Sequence, residues 1–437
     1  MEYFVVVCLI VEVFVLSRLD RRIFGTWFTP FNLLGYPYMA VVISAFLFAP
    51  VLNFVPVYWP SMVIWIVGLF LFWISGLTVG LVSGFRLGPR VATSEAELMF
   101  RDAPGIKVAI RIAWGLMPLM ALGFYRSQVL AGGWSEIGTL DFKTAYVHGL
   151  PGHAVQLAQP LCVFLLGTYK RGRTFLLLTI VGLFLFLFLT QVKGTILSVV
   201  IAALVFRAVR ENTRILVKKI AVGLVLTYVL FNAVYLVAFS VVDSSALTDA
   251  MSYEILSRHY FYYLWAGVLS FSQALRNHVG FIGGPWDLVF APFLNMYRAM
   301  LGSGPLLVAV SPLELGMDID PTTVIPDSGA NVYTMFGTLY FYLGPAGAAL
   351  LVLIVGALCY GIFVFSRTRD NGWLLVLHCI VGSWLVFGFF DYYFWSLGFP
   401  ETAVDCVFMA ALVRWVRSRR GGIVLSKVQS DLVSSPI

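Results

Sequence analysis

The stretch TFLLLTIVGLFLFLFLT, Thr174–Thr190, decides how the chain is read, because no side chain in it is charged. A bilayer's hydrocarbon core calls for about 20 helical residues, with a lower limit near 17. Only helices and closed barrels satisfy their backbone polar groups in lipid. The run is therefore a membrane-spanning helix rather than a core strand. Lys170, Arg171 and Arg173 flank its start, and the tight turn Gln191-Val192-Lys193-Gly194-Thr195 ends it. Beyond that turn Ile196–Val209 runs back. Composition extends this reading to the whole chain. Of 437 residues, 60% are hydrophobic and 12% charged, against roughly 25% charged in soluble domains. The expected fold is an all-α polytopic membrane protein.

Charge placement sets the topology. Tyr3–Leu16 lacks a preceding basic region and a small-residue cleavage site, so it stands as helix one rather than a signal peptide. Arg18, Arg21 and Arg22 follow it and place that loop inside. Further spans are expected over Phe31–Pro50, Met62–Val82, Val108–Tyr125, His153–Tyr169, Ile220–Val242, Thr334–Phe365, Trp373–Phe390 and Thr402–Val416. Of the 29 Lys and Arg, all but Arg111, Arg126, Lys143, Lys193, Arg258, Arg276 and Arg298 fall on the inner side. That bias gives an N-out, C-in arrangement of about eleven crossings. Tyr260–Leu275 and Pro285–Val310 are apolar enough to span as well, which would make about thirteen. Their poor inner charge marking favours two interfacial or re-entrant helices. The division expected is 1–242, a transmembrane bundle; 243–333, a large outer loop; 334–420, C-terminal transmembrane helices; and 421–437, a cytoplasmic tail.

The net charge of +7 is explained by topology and needs no nucleic acid. Cys8, Cys162, Cys359, Cys379 and Cys406 lie within apolar runs with no C-x-x-C spacing, so neither a disulfide framework nor a zinc site is expected. Glu12, His153, Arg111, His378 and Asp405 fall within or at the ends of spans. Ionisable groups there are costly and ordinarily face the bundle interior.

The loop 243–333 concentrates chemistry on one side. Lys193 reads either as a helix-end anchor or as a point charge for phosphate at the bilayer surface. Arg258 reads either as the partner of Glu254 at i,i+4 or as a bidentate clamp on a diphosphate. His259 beside it could take a proton from a hydroxyl. Glu314 and Asp327 are other candidate bases. Arg276, His278 and Arg298 complete a cationic outer surface. Asp318-Ile319-Asp320 forms an Asp-x-Asp, a weak metal-binding pattern whose default reading is an acidic loop. Tyr260, Phe261, Tyr262, Tyr263 and Trp265 suit an interfacial belt or sugar stacking.

Two motifs carry a resemblance. They are the Lys193-Gly194 turn and Asn331-Val332-Tyr333-Thr334 with Tyr340 and Gly344-Pro345-Ala346-Gly347. With the long outer segment between them, they make the chain resemble the Wzy-type polymerases of bacterial O-antigen, capsule and exopolysaccharide assembly. Where that family often has an acidic residue two positions before the first glycine, Tyr342 stands here. The resemblance implies a GT-C-like fold in the bacterial inner membrane. It also implies glycosyl transfer between undecaprenyl-diphosphate-linked oligosaccharides with release of undecaprenyl diphosphate, without metal, nucleotide or cofactor, alongside a flippase and a chain-length regulator. In that setting Lys193, Arg258, Arg276 and Arg298 meet the diphosphates. His259 is the leading base and Asp327 the second. Asn331, Tyr333 and Tyr340 position the loop or sugar, though Asn331 could instead cap the next helix. The rivals are an O-antigen ligase and, from another class, a polysaccharide flippase or transporter. Glu12 is the best support for a transporter, and the lack of internal repeats counts against it.

Overall fold

The computed structural model describes residues 1–84, 95–133, 142, 145–147, 149–170, 173–190, 193–211, 228–229, 250–279, 290–301, 317–321, 330, 332–368, 371–396 and 398–433. Among these the chain is helical, with no strand and one isolated bridge between Met317 and Ala330. The helices are α1 (Glu2–Phe24), α2 (Pro30–Phe48), α3 (Trp59–Ser83), α4 (Glu95–Ala131), α5 (Gly149–Thr168) and α6 (Thr174–Leu189). They continue as α7 (Lys193–Arg210), α8 (Ala250–Arg276), α9 (Ala291–Leu301), α10 (Thr334–Thr368), α11 (Gly372–Val386) and α12 (Gly398–Val433). Among the described residues six segments are long and apolar enough to cross a bilayer: Pro30–Phe48, Trp59–Ser83, Ala103–Ala131, Gly149–Thr168, Thr334–Thr368 and Gly372–Phe389. The expected span 220–242 lies outside the described residues, apart from Tyr228 and Val229.

Large apolar side chains such as Val11, Phe14, Val67, Phe70, Leu178 and Leu185 are exposed along these helices. In water such a surface would be an aggregation hazard, whereas against acyl chains it is the ordinary outer face of a membrane bundle.

The chain forms two compact units. One comprises 1–89, 214–365 and 381–400, and the other 90–213, 366–380 and 401–437. The second unit is a helical packet in which the Trp114 ring stacks on Phe175 and its indole N–H donates to Thr179 Oγ1 at 3.1 Å. Phe164 stacks on Trp373 with centroids 4.4 Å apart. A polar seam joins α5 to α12, where His153 Nδ1 lies 2.6 Å from Glu401 Oε1 and Gln156 donates to Thr402 at 2.9 Å. His153 thus has a carboxylate partner, as the cost of a lone ionisable group in lipid requires.

In the first unit α8 takes an unusual course. Trp265 Nε1 donates to Ser44 near the end of α2. Ser272 bonds Ser61 in the first turn of α3, and Phe271 packs on Trp65. A Cβ on Gly267 would sit 2.5 Å from the carbonyls of Phe389 and Phe390, so only glycine lets the backbones approach this closely. Further along, Phe271 meets Gly337 and Phe341 at the start of α10. Every one of these contacts falls at a helix end. A helix of about 27 residues extends about 40 Å, so α8 lies across the ends of its neighbours rather than beside them. In α9, Phe293, Met296, Tyr297, Met300 and Leu301 are exposed at i, i+3, i+4, i+7 and i+8, an apolar stripe along one face of the helix.

The expected span Thr334–Phe365 falls within the long apolar segment Thr334–Thr368, which Gly344, at φ 68°, ψ 176°, divides in two. That conformation is essentially restricted to glycine. Pro345 lacks an N–H and restarts the helix from its fixed φ. Thr334, itself at φ 61°, accepts the Gly337 amide at 3.1 Å through its hydroxyl and so caps the first turn of α10.

Candidate functional site

The end of the first unit spanned by α8 collects most of the unusual chemistry. Arg258 on α8 grips Asp320 in a two-point fork, with Nε to Oδ2 at 2.6 Å and Nη2 to Oδ1 at 2.5 Å. Asp320 is 1% exposed and the Arg258 side chain 26%. The guanidinium carbon also lies 4.8 Å from the Phe54 ring centroid, a cation–π contact strengthened by partial burial.

The loop that carries Asp320 is held in place locally. Asp318 Oδ1 accepts the Asp320 amide at 3.2 Å, an Asx turn. Ile319 O accepts the Val55 amide at 3.1 Å, and Met317 and Ala330 exchange two backbone bonds. Asp318 and Asp320 therefore serve as a turn and an ion-pair partner rather than as a metal-binding pair. Among the described residues no group of three or more His, Cys, Asp or Glu could hold a metal ion.

In this geometry the Nε–Nη2 edge of Arg258 holds the Asp320 carboxylate, which fixes the guanidinium and offsets its charge. Next to it, His259 packs edge-on against Tyr263 with centroids 4.9 Å apart and lies nearly parallel to Tyr262. Tyr263 in turn stacks on Phe390. The structure thus brings Arg258, His259 and an aromatic wall together.

Other expected residues fall elsewhere. Arg276 is at the far end of α8, about 27 Å along the helix from Arg258, with its guanidinium 5.5 Å from the Tyr58 ring. Arg298 is half-buried on α9. Tyr333 is fully buried against Phe341, and Tyr340 packs on Phe271 and Phe341. Tyr333 is thus packed into the interior behind the start of α10. Asp327 and Asn331 lie outside the described residues, as does the Lys193 side chain. Lys193 itself opens α7.

The sequence reading took Asp320 only as part of a weak Asp-x-Asp pattern and gave Asp391 no role. The ion pair of Asp320 left no local signature, because its partner lies 62 residues away. Asp391 follows the short turn after α11. Its Oδ1 accepts both the Thr338 hydroxyl at 3.1 Å and the Tyr392 amide at 2.7 Å, and Oδ2 takes part in neither bond. Burial pushes its pKa up from 3.8 to about 6, with those two hydrogen bonds pulling the other way. A carboxyl tuned towards neutrality can exchange a proton under physiological conditions. The only sequence signal was a lone acid inside the aromatic run Phe389–Trp395.

The tuning carries a pH signature. The folded protein holds the Asp391 proton more tightly than the unfolded chain. Stability therefore falls as pH rises from 3.8 to about 6, by at most about 3 kcal/mol. Asp391→Asn preserves an oxygen acceptor and removes the titration. Melting temperature in detergent, followed from pH 4 to 7, is expected to fall across that window in wild type and to flatten in the variant.

Fold and site together describe a multi-pass helical membrane protein with a buried arginine–aspartate fork at one end of its first unit. The chain belongs to a family of unknown function, DUF6337, whose model matches residues 53–419. No curated protein and no solved structure matches it.

Proposed function

We propose that this protein is a lipid-carrier-dependent polysaccharide polymerase of the bacterial inner membrane. It joins undecaprenyl-diphosphate-linked repeat units by glycosyl transfer at the outer face. The observation that carries this reading is the preset Arg258 on a helix laid across helix ends, beside His259 and an aromatic wall. In the reaction, a hydroxyl of one repeat attacks the anomeric carbon of the chain on another carrier. The glycosidic bond forms as the bond to the diphosphate oxygen breaks. The departing diphosphate needs cations fixed in advance, a role for Arg258 held by Asp320, with Lys193, Arg276 and Arg298 binding other phosphates. The attacking hydroxyl needs a base. His259 is the first candidate and Asp327 the second, and Asp391 joins them. The bilayer is the second partner, through the apolar helix surfaces.

A transporter reading has one observation in its favour: both carboxylate oxygens of Glu12 are buried with no hydrogen-bond partner, as in a proton-carrying span. The deciding experiment is a gel of lipid-linked and surface polysaccharide from a deletion strain, complemented with wild type or Arg258→Lys. The expected result is collapse of the long-chain ladder to a single repeat on its acceptor. Wild type restores the ladder. Arg258→Lys, which keeps the charge and loses the fork, gives at least about a tenfold reduction. Full-length polymer stranded on the lipid carrier would establish a ligase. Single repeats held on the inner leaflet would establish a flippase.

A further inference from the structure

A second polar cluster lies in the first unit, between α1, α2 and α10, and the reaction above makes no use of it. Helices α1 and α2 pack antiparallel in a constant register. Tyr3 meets Phe46, Val13 lies against Gly35, and Phe14 meets Tyr36. Asp20 has the Thr29 hydroxyl beside it. The same register sets Ser17 opposite Asn32, between the Val13–Gly35 and Asp20–Thr29 levels.

These side chains are deeply buried: Ser17 and Asp20 are 0% exposed and Asn32 4%. Asp20 Oδ1 accepts the Tyr360 hydroxyl at 2.8 Å, and the Tyr360 oxygen accepts the Phe31 amide at 3.3 Å. Four further polar atoms, Asp20 Oδ2, Ser17 Oγ, Asn32 Oδ1 and Asn32 Nδ2, have no hydrogen-bond partner among the described residues. Buried polar groups are rarely left so, and a cluster of them calls for a specific occupant. The cations of α1 do not supply it. Arg18, Arg21 and Arg22 are exposed, and the Arg21 guanidinium lies over the Trp27 ring at 4.6 Å. A buried carboxylate charge needs a compensating positive charge. The donors are hard oxygens, as alkali and alkaline-earth cations prefer. One carboxylate among neutral oxygens balances a single charge and not two.

We propose that this pocket binds one monovalent cation, sodium or potassium, through Asp20 Oδ2, Ser17 Oγ, Asn32 Oδ1 and Thr29 Oγ1. The bound cation ties α1 to α2, and through Tyr360 to α10. The site is independent of the polymerase reading, since none of its residues belongs to the α8 end.

The test is thermal unfolding of the full-length protein in detergent, in sodium, potassium or choline chloride at equal ionic strength. The expected result is a saturable rise of about 2–4 °C over choline in one or both alkali salts. The salt that gives the larger rise at lower concentration identifies the ion. Ser17→Ala is expected to shift the half-saturating concentration upward by about tenfold, and Asp20→Asn to abolish the alkali dependence. Ser17→Ala keeps the test intact should Asp20→Asn fail to fold. Equal melting temperatures of the wild type in all three salts would overturn the proposal. So would an alkali dependence that Ser17→Ala leaves unchanged.

Discussion

Asp320→Ala lowers stability by about 3–5 kcal/mol, the range found when one member of a buried ion pair is removed. The size follows from burial. Asp320 is 1% exposed and receives both fork hydrogen bonds, so its loss leaves a guanidinium that is 26% exposed without its carboxylate. The same change frees the 317–321 loop of its strongest tie to α8, leaving the Val55–Ile319 and Met317–Ala330 backbone bonds. Arg258→Ala costs a similar amount for the converse reason, an unpaired buried carboxylate. The double variant Arg258→Met/Asp320→Leu is expected to recover much of the loss, because an apolar pair carries no desolvation penalty. Chemical denaturation of wild type, Arg258→Met, Asp320→Leu and their combination in detergent measures the cycle. Additive losses would show that the two residues do not act as a pair. The cycle also separates stability from chemistry. If Arg258 acts on the diphosphate, the apolar double variant folds well and still fails to build the polysaccharide ladder.

Gly344→Ala is expected to cost about 1–3 kcal/mol from backbone strain alone, and it strikes at the α8 end. At φ 68°, ψ 176° the glycine turns Thr334–Leu343 away from the helix that begins at Pro345. A side chain there favours a different backbone path. The short leading helix then loses its position, and with it the Thr334–Phe390 backbone bond and the Thr338 hydrogen bond to Asp391. Gly361→Ala in the same helix is the control, because a Cβ there meets nothing within 4 Å. Removing a helical glycine stabilises by up to about 1 kcal/mol. Melting temperatures that move in opposite directions for the two alanines are the expected outcome. Equal effects would mean that the break at Gly344 can be dispensed with.

The second prediction rests on a motif that carried the family resemblance, and the structure gives part of that motif a backbone role. Gly344 and Pro345 make the break, Thr334 makes the cap, and Tyr333 fills the space behind them. Thr334 holds a left-handed backbone at φ 61° beside the tuned carboxyl of Asp391, which it joins through the Thr334–Phe390 backbone bond and Thr338.

The amino-acid sequence by itself determined that the chain is helical and embedded in a membrane. Uncharged runs such as Thr174–Thr190 leave the backbone no other way to satisfy its polar groups in lipid. It also marked Arg258 and His259, because cations and imidazoles are conspicuous where the surroundings are apolar. Only the tertiary structure decided what those residues face. The fork depends on Asp320, 62 residues from Arg258, and the coupling of Thr338 to Asp391 spans 53. No local periodicity encodes contacts at such separations. The pocket of Ser17, Asp20 and Asn32 has the same origin. Each is an ordinary polar residue near a helix end, and the antiparallel register of α1 and α2 closes them away from water together.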